Sequence, residues 1–533
     1  MRIGLTLTLA LGLAIAGSGC SLIGPDYRPP EAPTAADWLD ADAGGVLRRD
    51  AADLAGWWKV FNDPVLDQLV ETAYRENPTL QSAGARVLEA LARRGIAIGN
   101  LYPQQQDAFG SYGRYELSEN RANQGAGDSK FADWQLGFDT LWELDVWGKL
   151  RRGIEAADAE LLASVASYDD VLVSLIAEVA ANYVTFRTLE EQLAVARSNV
   201  AVQAKSFDIA DQKYQGGAVS ALDSLQAKSL LEDTRSLIPS LETSLRQTEN
   251  TLCFLLGMTP RDLGELLGAS GRIPVAPTAV AVGIPADVLR RRPDVRFAER
   301  SLAAQSARIG IAKADYLPSF SLTGTISFAA EDFSDLFKGE SFEGFGGPSF
   351  RWAILNYGRI SNNVRVQDAR YQALIASYEE SVLRAQAEAE NAIAAFLGAG
   401  REVVHLSASV DAAAKAVDIA VYQYREGATD YTRVLDTQQF LVTEQDREVA
   451  TRGRVALSLT ALYKALGGGW ERRLDNGGES FVSDEVIDQM RTRTWWADLL
   501  KARREGAEIS AADPAEPEGW SWWQKLVAWL PRW

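Results

Sequence analysis

His405 is the single histidine in 533 residues, and Cys20 and Cys253 are the two cysteines. A Ser-His-Asp relay needs a positioned imidazole and a structural zinc needs four His or Cys ligands, so neither chemistry has its residues here. The Gly-rich loop ending in Gly-Lys-Ser/Thr that cradles nucleotide phosphates is also missing. Cys253 lies in the apolar run Leu252-Cys253-Phe254-Leu255-Leu256, where buried packing is its expected role. Cys20 is different. Met1-Arg2, an apolar run from Ile3 to Ala16, and Gly17-Ser18-Gly19 make a secretory leader that ends in small residues. The run is shorter than the ~20 residues of a membrane span. Small residues leading into a cysteine resemble a bacterial lipobox, at which Cys20 takes an S-diacylglycerol and an N-acyl chain and becomes the first mature residue. Gly24-Pro25-Asp26-Tyr27-Arg28-Pro29-Pro30 then supplies a stiff, extended leader. That covalent lipid is the one non-protein group expected, with no catalytic residue, metal or other cofactor.

Charge narrows the field further. Asp plus Glu number 72 against 54 Lys plus Arg, and the resulting net charge of −18 argues against a nucleic-acid partner. Apolar residues make up 47% of the chain, enough for a folded body rather than a disordered one.

The elements that must carry any function are present twice. An offset of 210 residues relates Trp142 to Trp352, Gly148 to Gly358, Tyr168 to Tyr378, Glu178 to Glu388, Phe186 to Phe396, Lys205 to Lys415, Tyr214 to Tyr424, Leu225 to Leu435 and Gly257 to Gly467. Upstream, an offset of 215 relates Pro78 to Pro293, Gly95-Ile96-Ala97 to Gly310-Ile311-Ala312, and Pro103 to Pro318. A repeat this long is a duplicated half-molecule rather than a solenoid unit.

Within each copy, two alternating segments stand between long helical stretches. Phe320, Leu322, Ile326 and Phe328 fall on one face of a strand, with Ser and Thr on the other. Trp134, Leu136, Phe138, Thr140, Trp142 and Leu144 do the same in the first copy. Trp134 and Trp142 are eight residues apart, ~26 Å along a strand, the height of a lipid-facing band between aromatic girdles. With Phe320, Phe328 and Trp352 they are the candidate girdle. Two strands per copy give four per chain, whereas a membrane barrel needs about eight or more, so one chain cannot close it. Ile154 to Gln215 holds neither Gly nor Pro, and a helix of that length runs ~90 Å, as in a tube of packed helices. Pro239 should kink or break the helix that returns from it.

The division expected is a signal at 1–19, an anchored leader and belt segment at 20–75, repeats at 76–260 and 291–469, a linker at 261–290, and an extension at 470–533. Strands are placed at about 104–117 and 131–145, then 318–329 and 345–356. Long helices follow at about 149–215 and 359–426, with returning helices at 221–256 and 431–466.

Taken together, the sequence resembles the TolC-like outer-membrane factors, most closely the OprM/NodT type of lipoprotein. The likeness rests on Cys20 with Gly-Pro-Asp-Tyr, on Trp57-Trp58-Lys59-Val60-Phe61-Asn62-Asp63-Pro64-Val65-Leu66, on Asn77-Pro78, on Leu256-Gly257 and on Leu435-Asp436-Thr437-Gln438. It covers roughly residues 20 to 470. The resemblance implies an α+β membrane protein. In a homotrimer, four strands per chain form one outer-membrane β-barrel, continued by a periplasmic α-helical barrel with a mixed α/β belt. It implies a passive exit duct of a tripartite efflux system in a Gram-negative bacterium. The partners would be a periplasmic adaptor (membrane fusion) protein and an inner-membrane transporter of the RND type. Ser21, next to Cys20, favours the outer membrane over inner-membrane retention. By the same resemblance, Asp223 and Tyr424 bond neighbouring helices at a periplasmic gate. Asp436 belongs to a constriction ring, in which Arg433 replaces a second acid. A duct for type I protein secretion and a non-pore envelope lipoprotein are the alternatives. The extension carries eight of the 15 tryptophans, and Trp520-Ser521-Trp522-Trp523-Gln524-Lys525-Leu526-Val527-Ala528-Trp529-Leu530 reads as a short amphipathic helix. It is expected on the belt, with a membrane interface as the other placement.

Overall fold

The computed structural model describes residues 22–475, apart from 41–44, 49, 51–53, 119, 121, 123–127, 269–270 and 278, together with residues 481–494. Cys20 and the tryptophans from 495 onward lie outside the described residues. The two copies fold alike. In the first, α1 (Pro64–Glu76) leads into α2 (Pro78–Gly99), β1 (Gln105–Glu116), β2 (Lys130–Leu144), α3 (Lys149–Gln215) and α4 (Ala221–Leu255). In the second, α5 (Pro285–Arg291) leads into α6 (Pro293–Ala314), β3 (Ser319–Ala330), β4 (Phe342–Arg351), α7 (Arg359–Arg425) and α8 (Tyr431–Ala465). Corresponding helices have equal lengths: 22 residues for α2 and α6, 67 for α3 and α7, and 35 for α4 and α8. None of the described helices is long and apolar enough to cross a membrane.

Local chemistry sets the boundaries. Pro78 and Pro293 occupy the first helical turn, where a missing N–H costs nothing. Gly148 and Gly358 begin the long helices in left-handed conformation, at φ 78° and 80°. Ser220 and Asp430 cap the returning helices with side-chain oxygens. Pro239 does not break α4, which runs through it unbroken. Pro239 and Arg235 are both exposed, so the Arg235 carbonyl left without its helical donor meets water instead.

Each copy closes with the same latch. The Asn77 amide donates to the Leu255 carbonyl at 2.9 Å, and the Arg292 guanidinium donates to the Ala465 carbonyl at 2.6 Å. Both acceptors are last-turn helix carbonyls with no partner in their own helix. Arg292 is buried and also binds Asp294 and Glu388, both at 2.7 Å, which compensates its charge. Around the first latch, Trp57, Trp58, Phe61, Leu66, Leu69, Tyr183 and Leu256 belong to one apolar core, in the belt. The Trp57 ring stacks on Tyr463 at 5.3 Å, and Asp63 caps α1 while accepting the Tyr183 hydroxyl at 2.6 Å. Leu47–Arg48 pairs in parallel with Val280–Ala281, the β component of the belt among the described residues.

The four long strands form one antiparallel sheet in the order β1-β2-β3-β4. β4 begins and ends earlier than the expected 345–356, because the chain leaves the sheet after Arg351. The Trp352 carbonyl accepts the Ile354 N–H at 3.1 Å, and Tyr357 and Gly358 then turn at positive φ. Trp352 therefore stands just below the strand rather than in it. Among the described residues the outer edges of β1 and β4 have no strand partner, so closure of the sheet requires other chains.

The leader descends from the barrel base along α6. The Ile23 amide donates to the Trp147 carbonyl at 3.3 Å, and the Tyr27 hydroxyl donates to the Glu299 carbonyl at 3.3 Å. Gly24, at φ 102°, lies so close to Gly310 that a Cβ on it would stand 2.4 Å from the Gly310 Cα. Buried Arg152 donates to the Ile23 carbonyl at 3.1 Å and pairs with Asp26 at 2.8 Å and Glu155 at 2.6 Å. Gly310→Val puts a Cβ 2.7 Å from the Ile23 carbonyl. Overpacking of this kind costs ~1–3 kcal/mol and here falls on the leader, so chymotryptic cleavage after Tyr27 will accelerate by about tenfold in the variant.

Candidate functional site

Two regions hold the residues singled out above: the outer face of the sheet and the tip of the helices. On the sheet, register places apolar residues opposite one another: Tyr112 with Trp134, Leu136 with Phe328, Phe138 with Ile326, Trp142 with Leu322, and Leu144 with Phe320. The other face is polar, and the Thr325 hydroxyl donates to Asp139 at 2.6 Å across it. Aromatic side chains gather at both ends of the apolar face. At the end far from the helices, Trp134 meets Tyr112 and Phe333 at 4.3 and 5.1 Å, and Phe328 meets Phe337 and Phe342 at 6.0 and 5.7 Å. At the helix end, Phe320 lies 6.4 Å from both Trp147 and Phe350.

Three indoles fix that lower end. The Trp142 N–H donates to the Leu101 carbonyl at 3.1 Å and the Trp352 N–H to the Tyr316 carbonyl at 2.9 Å, one equivalent bond in each copy. The Trp147 N–H donates to the Pro318 carbonyl at 2.8 Å. Each indole thus ties the base of the sheet to the loop by which a helix enters it.

At the opposite end of the molecule, α3 turns into α4 and α7 into α8 over five residues each. Gly217 and Gly427 sit at φ 70° and 76°, and the Ala218 and Ala428 amides bond back to the Lys213 and Gln423 carbonyls, both at 2.8 Å. Ala210, Ala227, Ala420, Tyr424, Tyr431 and Val434 pack between these turns. Small residues let the helices approach, and the two phenol rings meet edge to face at 5.2 Å.

Within this cluster the Tyr424 hydroxyl donates to Asp223 at 3.1 Å, joining α7 of the second copy to α4 of the first. Lys213 donates to the Tyr424 carbonyl at 2.6 Å and lies 4.7 Å from its ring centre. Higher up the same seam, Gln438 donates to Ser206 at 2.8 Å and Asn199 to Gln445 at 2.9 Å. The wall between the copies is therefore held by polar contacts spaced one heptad apart. Burial and the nearby Asp223 carboxylate raise both phenols, Tyr431 from 10.0 to about 12 and Tyr424 further. A phenol with a raised folded pKa contributes its full stability below the unfolded value and loses it as pH rises through the folded value. The Tyr424–Asp223 bond will therefore persist unchanged from about pH 7 to 9, with loosening confined to more alkaline solution, as an ultraviolet titration of the phenols will check.

Arg433 and Asp436 stand apart from this bond. Both are exposed on the first turns of α8, and the Arg433 backbone N–H serves the Asp430 cap. Arg433 occupies the second-copy position of Asp223, as exposed Tyr214 occupies the first-copy position of Tyr424. Lys213 and Tyr431 escaped the sequence reading because their counterparts, Gln423 and Ala221, differ in chemistry and the repeat gave no signal there.

A family pattern described as outer membrane efflux protein matches residues 69–258 and 284–468, which are the two copies. The chain belongs to this family. It is 33% identical over 476 residues to a toluene efflux pump outer membrane protein, TtgF, of Pseudomonas putida, spanning 87% of this chain and 97% of that one. It is 30% identical over 454 residues to Nodulation protein T of Rhizobium leguminosarum bv. trifolii, spanning 84% and 93%. It superposes on the outer-membrane channel OprN with a TM-score of 0.80 at 33% identity, over 84% of this chain and 99% of that one.

As a member of the outer membrane efflux proteins, the chain acts as a trimer. The free edges of β1 and β4 pair between protomers, and the four strands of each complete a 12-stranded outer-membrane barrel. The α3–α4 and α7–α8 pairs of three chains continue it as a helical tube. The assembly is the outer-membrane exit duct of an efflux system.

Proposed function

We propose that the duct conducts small organic molecules, drugs or other toxic compounds, handed to it by a periplasmic adaptor and an inner-membrane transporter of the RND type. The single observation that carries this reading is the match to a toluene efflux component along nearly that protein's whole length. A passive conduit fits a chain with one histidine, two cysteines and no nucleotide loop. A strain lacking its own exit duct should regain solvent tolerance when supplied with this chain and a cognate adaptor and transporter. Restored export of a protein substrate without restored solvent tolerance would favour the secretion reading instead.

Within that function, Trp134 and Phe328 mark the outer lipid interface, and Trp142, Phe320 and Trp352 the periplasmic one, as aromatic side chains do at the two borders of a barrel's lipid band. Cys20 carries the diacylglycerol and acyl chains, and Leu22 beside Gly148 at the barrel base leaves its lipid next to that lower girdle. Tyr424 and Asp223 hold the tip shut within each chain. Around the trimer the duplication sets Tyr214 of one chain toward Arg433 of the next, where the equivalent intrachain contact is a phenol on a carboxylate. With Asp436, the constriction becomes a ring of alternating sign rather than an acidic one.

A further inference from the structure

The two copies differ at the end of the sheet far from the helices. Leu117 to Ser129, which joins β1 to β2, carries no aromatic residue, whereas Glu331 to Ser341, which joins β3 to β4, carries Phe333 and Phe337. The second connection is a self-supporting turn. The Leu336 amide donates to the Phe333 carbonyl at 3.3 Å, and the Lys338 amide to the Asp335 carbonyl at 3.0 Å. The Ser341 hydroxyl donates to the Asp335 carbonyl at 2.8 Å, and the Lys338 and Asp335 side chains pair. Leu336 is buried beneath them. The turn leans to one side of the sheet. Register sets Trp134 opposite Ala330, and Phe328 opposite both Leu136 and Phe342, on the apolar face. Phe333 packs edge to face on Trp134 at 5.1 Å, while Phe337 lies 6.0 Å from Phe328 and 6.4 Å from Phe333. The connection therefore folds back along the apolar face, away from the polar face where Thr325 meets Asp139. Phe333 and Phe337 nonetheless stay 57% and 64% exposed, so among the described residues nothing covers their outward sides.

We propose that the β3–β4 connection is a lipid-inserted collar, with Phe333 and Phe337 set among the acyl chains of the outer leaflet of the outer membrane. The inference rests on the reading of Trp134 and Phe328 as the outer border of the lipid band, and extends that border from the strands to a loop. Continuity carries it. Both added rings pack on the border's own aromatics, on the same face of the sheet, and neither has a polar atom that needs water. Glu331, Asp332 and Glu340 are exposed on either side of the two rings. A carboxylate in hydrocarbon is costly, so these acids limit the depth to which the turn sinks. Around the trimer, aromatic connections of the second copy alternate with polar connections of the first. The aromatic ones lie against the outer wall, clear of the mouth of the duct.

The test places a bimane label on Ser334→Cys in the full-length lipoprotein. Cys253 is buried and the Cys20 thiol is taken by its thioether, so the label has one site. The trimer is reconstituted into vesicles of phosphatidylethanolamine and phosphatidylglycerol with brominated acyl chains. Leu136→Cys, two residues inside Trp134 on the apolar face, is the reference for the lipid band. Leu39→Cys, whose native side chain is 88% exposed in the belt segment, is the aqueous reference. Strong quenching is expected at 334 and 136, with none at 39. Replacing Phe333 and Phe337 together by Ser should abolish the quenching at 334, keep it at 136 and leave the conductance of single trimers unchanged. An unquenched 334 beside a quenched 136 overturns the collar alone, whether aqueous iodide reaches the label or protein shields it. Absence of quenching at both overturns the lipid-band reading with it. Quenching at 334 that survives the double substitution overturns the collar as well, and so does a conductance that the substitution raises.

Discussion

Tyr424→Phe and Asp223→Ala will each raise the conductance of single trimers in planar bilayers. The phenylalanine keeps the ring that packs on Tyr431 and removes only the hydroxyl that reaches Asp223 at 3.1 Å. A hydrogen bond to a charged group is worth ~1.5–3 kcal/mol, and three-fold symmetry removes three of them at once. The closed arrangement then loses at least ~4 kcal/mol, about a thousandfold in the closed-to-open ratio at 1.4 kcal/mol per tenfold. Brief openings of the native protein should become the prevailing state of the variants. Unchanged conductance in both would remove Tyr424 and Asp223 from the gate and leave them as tip packing.

Arg292→Met will have the largest effect on stability. Arg292 is buried beneath the last turn of α8, where it serves the Ala465 carbonyl, Asp294 and Glu388 together. Burial and the Asp294 charge raise Asp170 while Arg292 and then Lys464 oppose them, so removing Arg292 takes away the larger of the two opposing cations. Asp294 and Glu388 are a third to a half exposed, so water makes good part of the loss, and the substitution should cost ~2–3 kcal/mol. Arg291→Ala, one residue away, removes a half-exposed pair with Glu471 and should cost under ~1 kcal/mol. The heat-induced loss of the SDS-resistant trimer will shift strongly downward for Arg292→Met and barely for Arg291→Ala. Equal shifts would mean that the latch is no more than a surface ion pair.

Duplication explains how much of this fold was legible from residue types. Pro78 with Pro293, Gly148 with Gly358 and Gly257 with Gly467 are backbone requirements, and such positions survive in both copies because few other residues fit them. The strands were legible because one face meets lipid and the other water, so alternation is strict along Phe320, Leu322, Ile326 and Phe328. β4 was placed less well, since Gly344, Gly346, Gly347 and Pro348 interrupt the alternation that would have marked its ends. Pro239 read as a kink or a break, and the helix runs on through it because its exposure on α4 is a property of packing that no local pattern announces. The latch was half legible: Asn77-Pro78 is a plain cap, but its counterpart is Arg292-Pro293, and only contact with the Ala465 carbonyl shows the two to be one device. The leader socket was hidden for a similar reason, because Arg152 and Gly310 are 158 residues apart and meet only through Ile23 and Gly24.

Three chains sharing one continuous duct are the basis of every role assigned above. Recording from planar bilayers with the purified full-length trimer and its Asp223→Ala variant tests this most directly. Discrete single-channel steps are expected from the trimer fraction, larger and longer in the variant, with none from dissociated monomer. A folded, membrane-inserted trimer whose native and variant forms both leave the bilayer silent would contradict a shared duct.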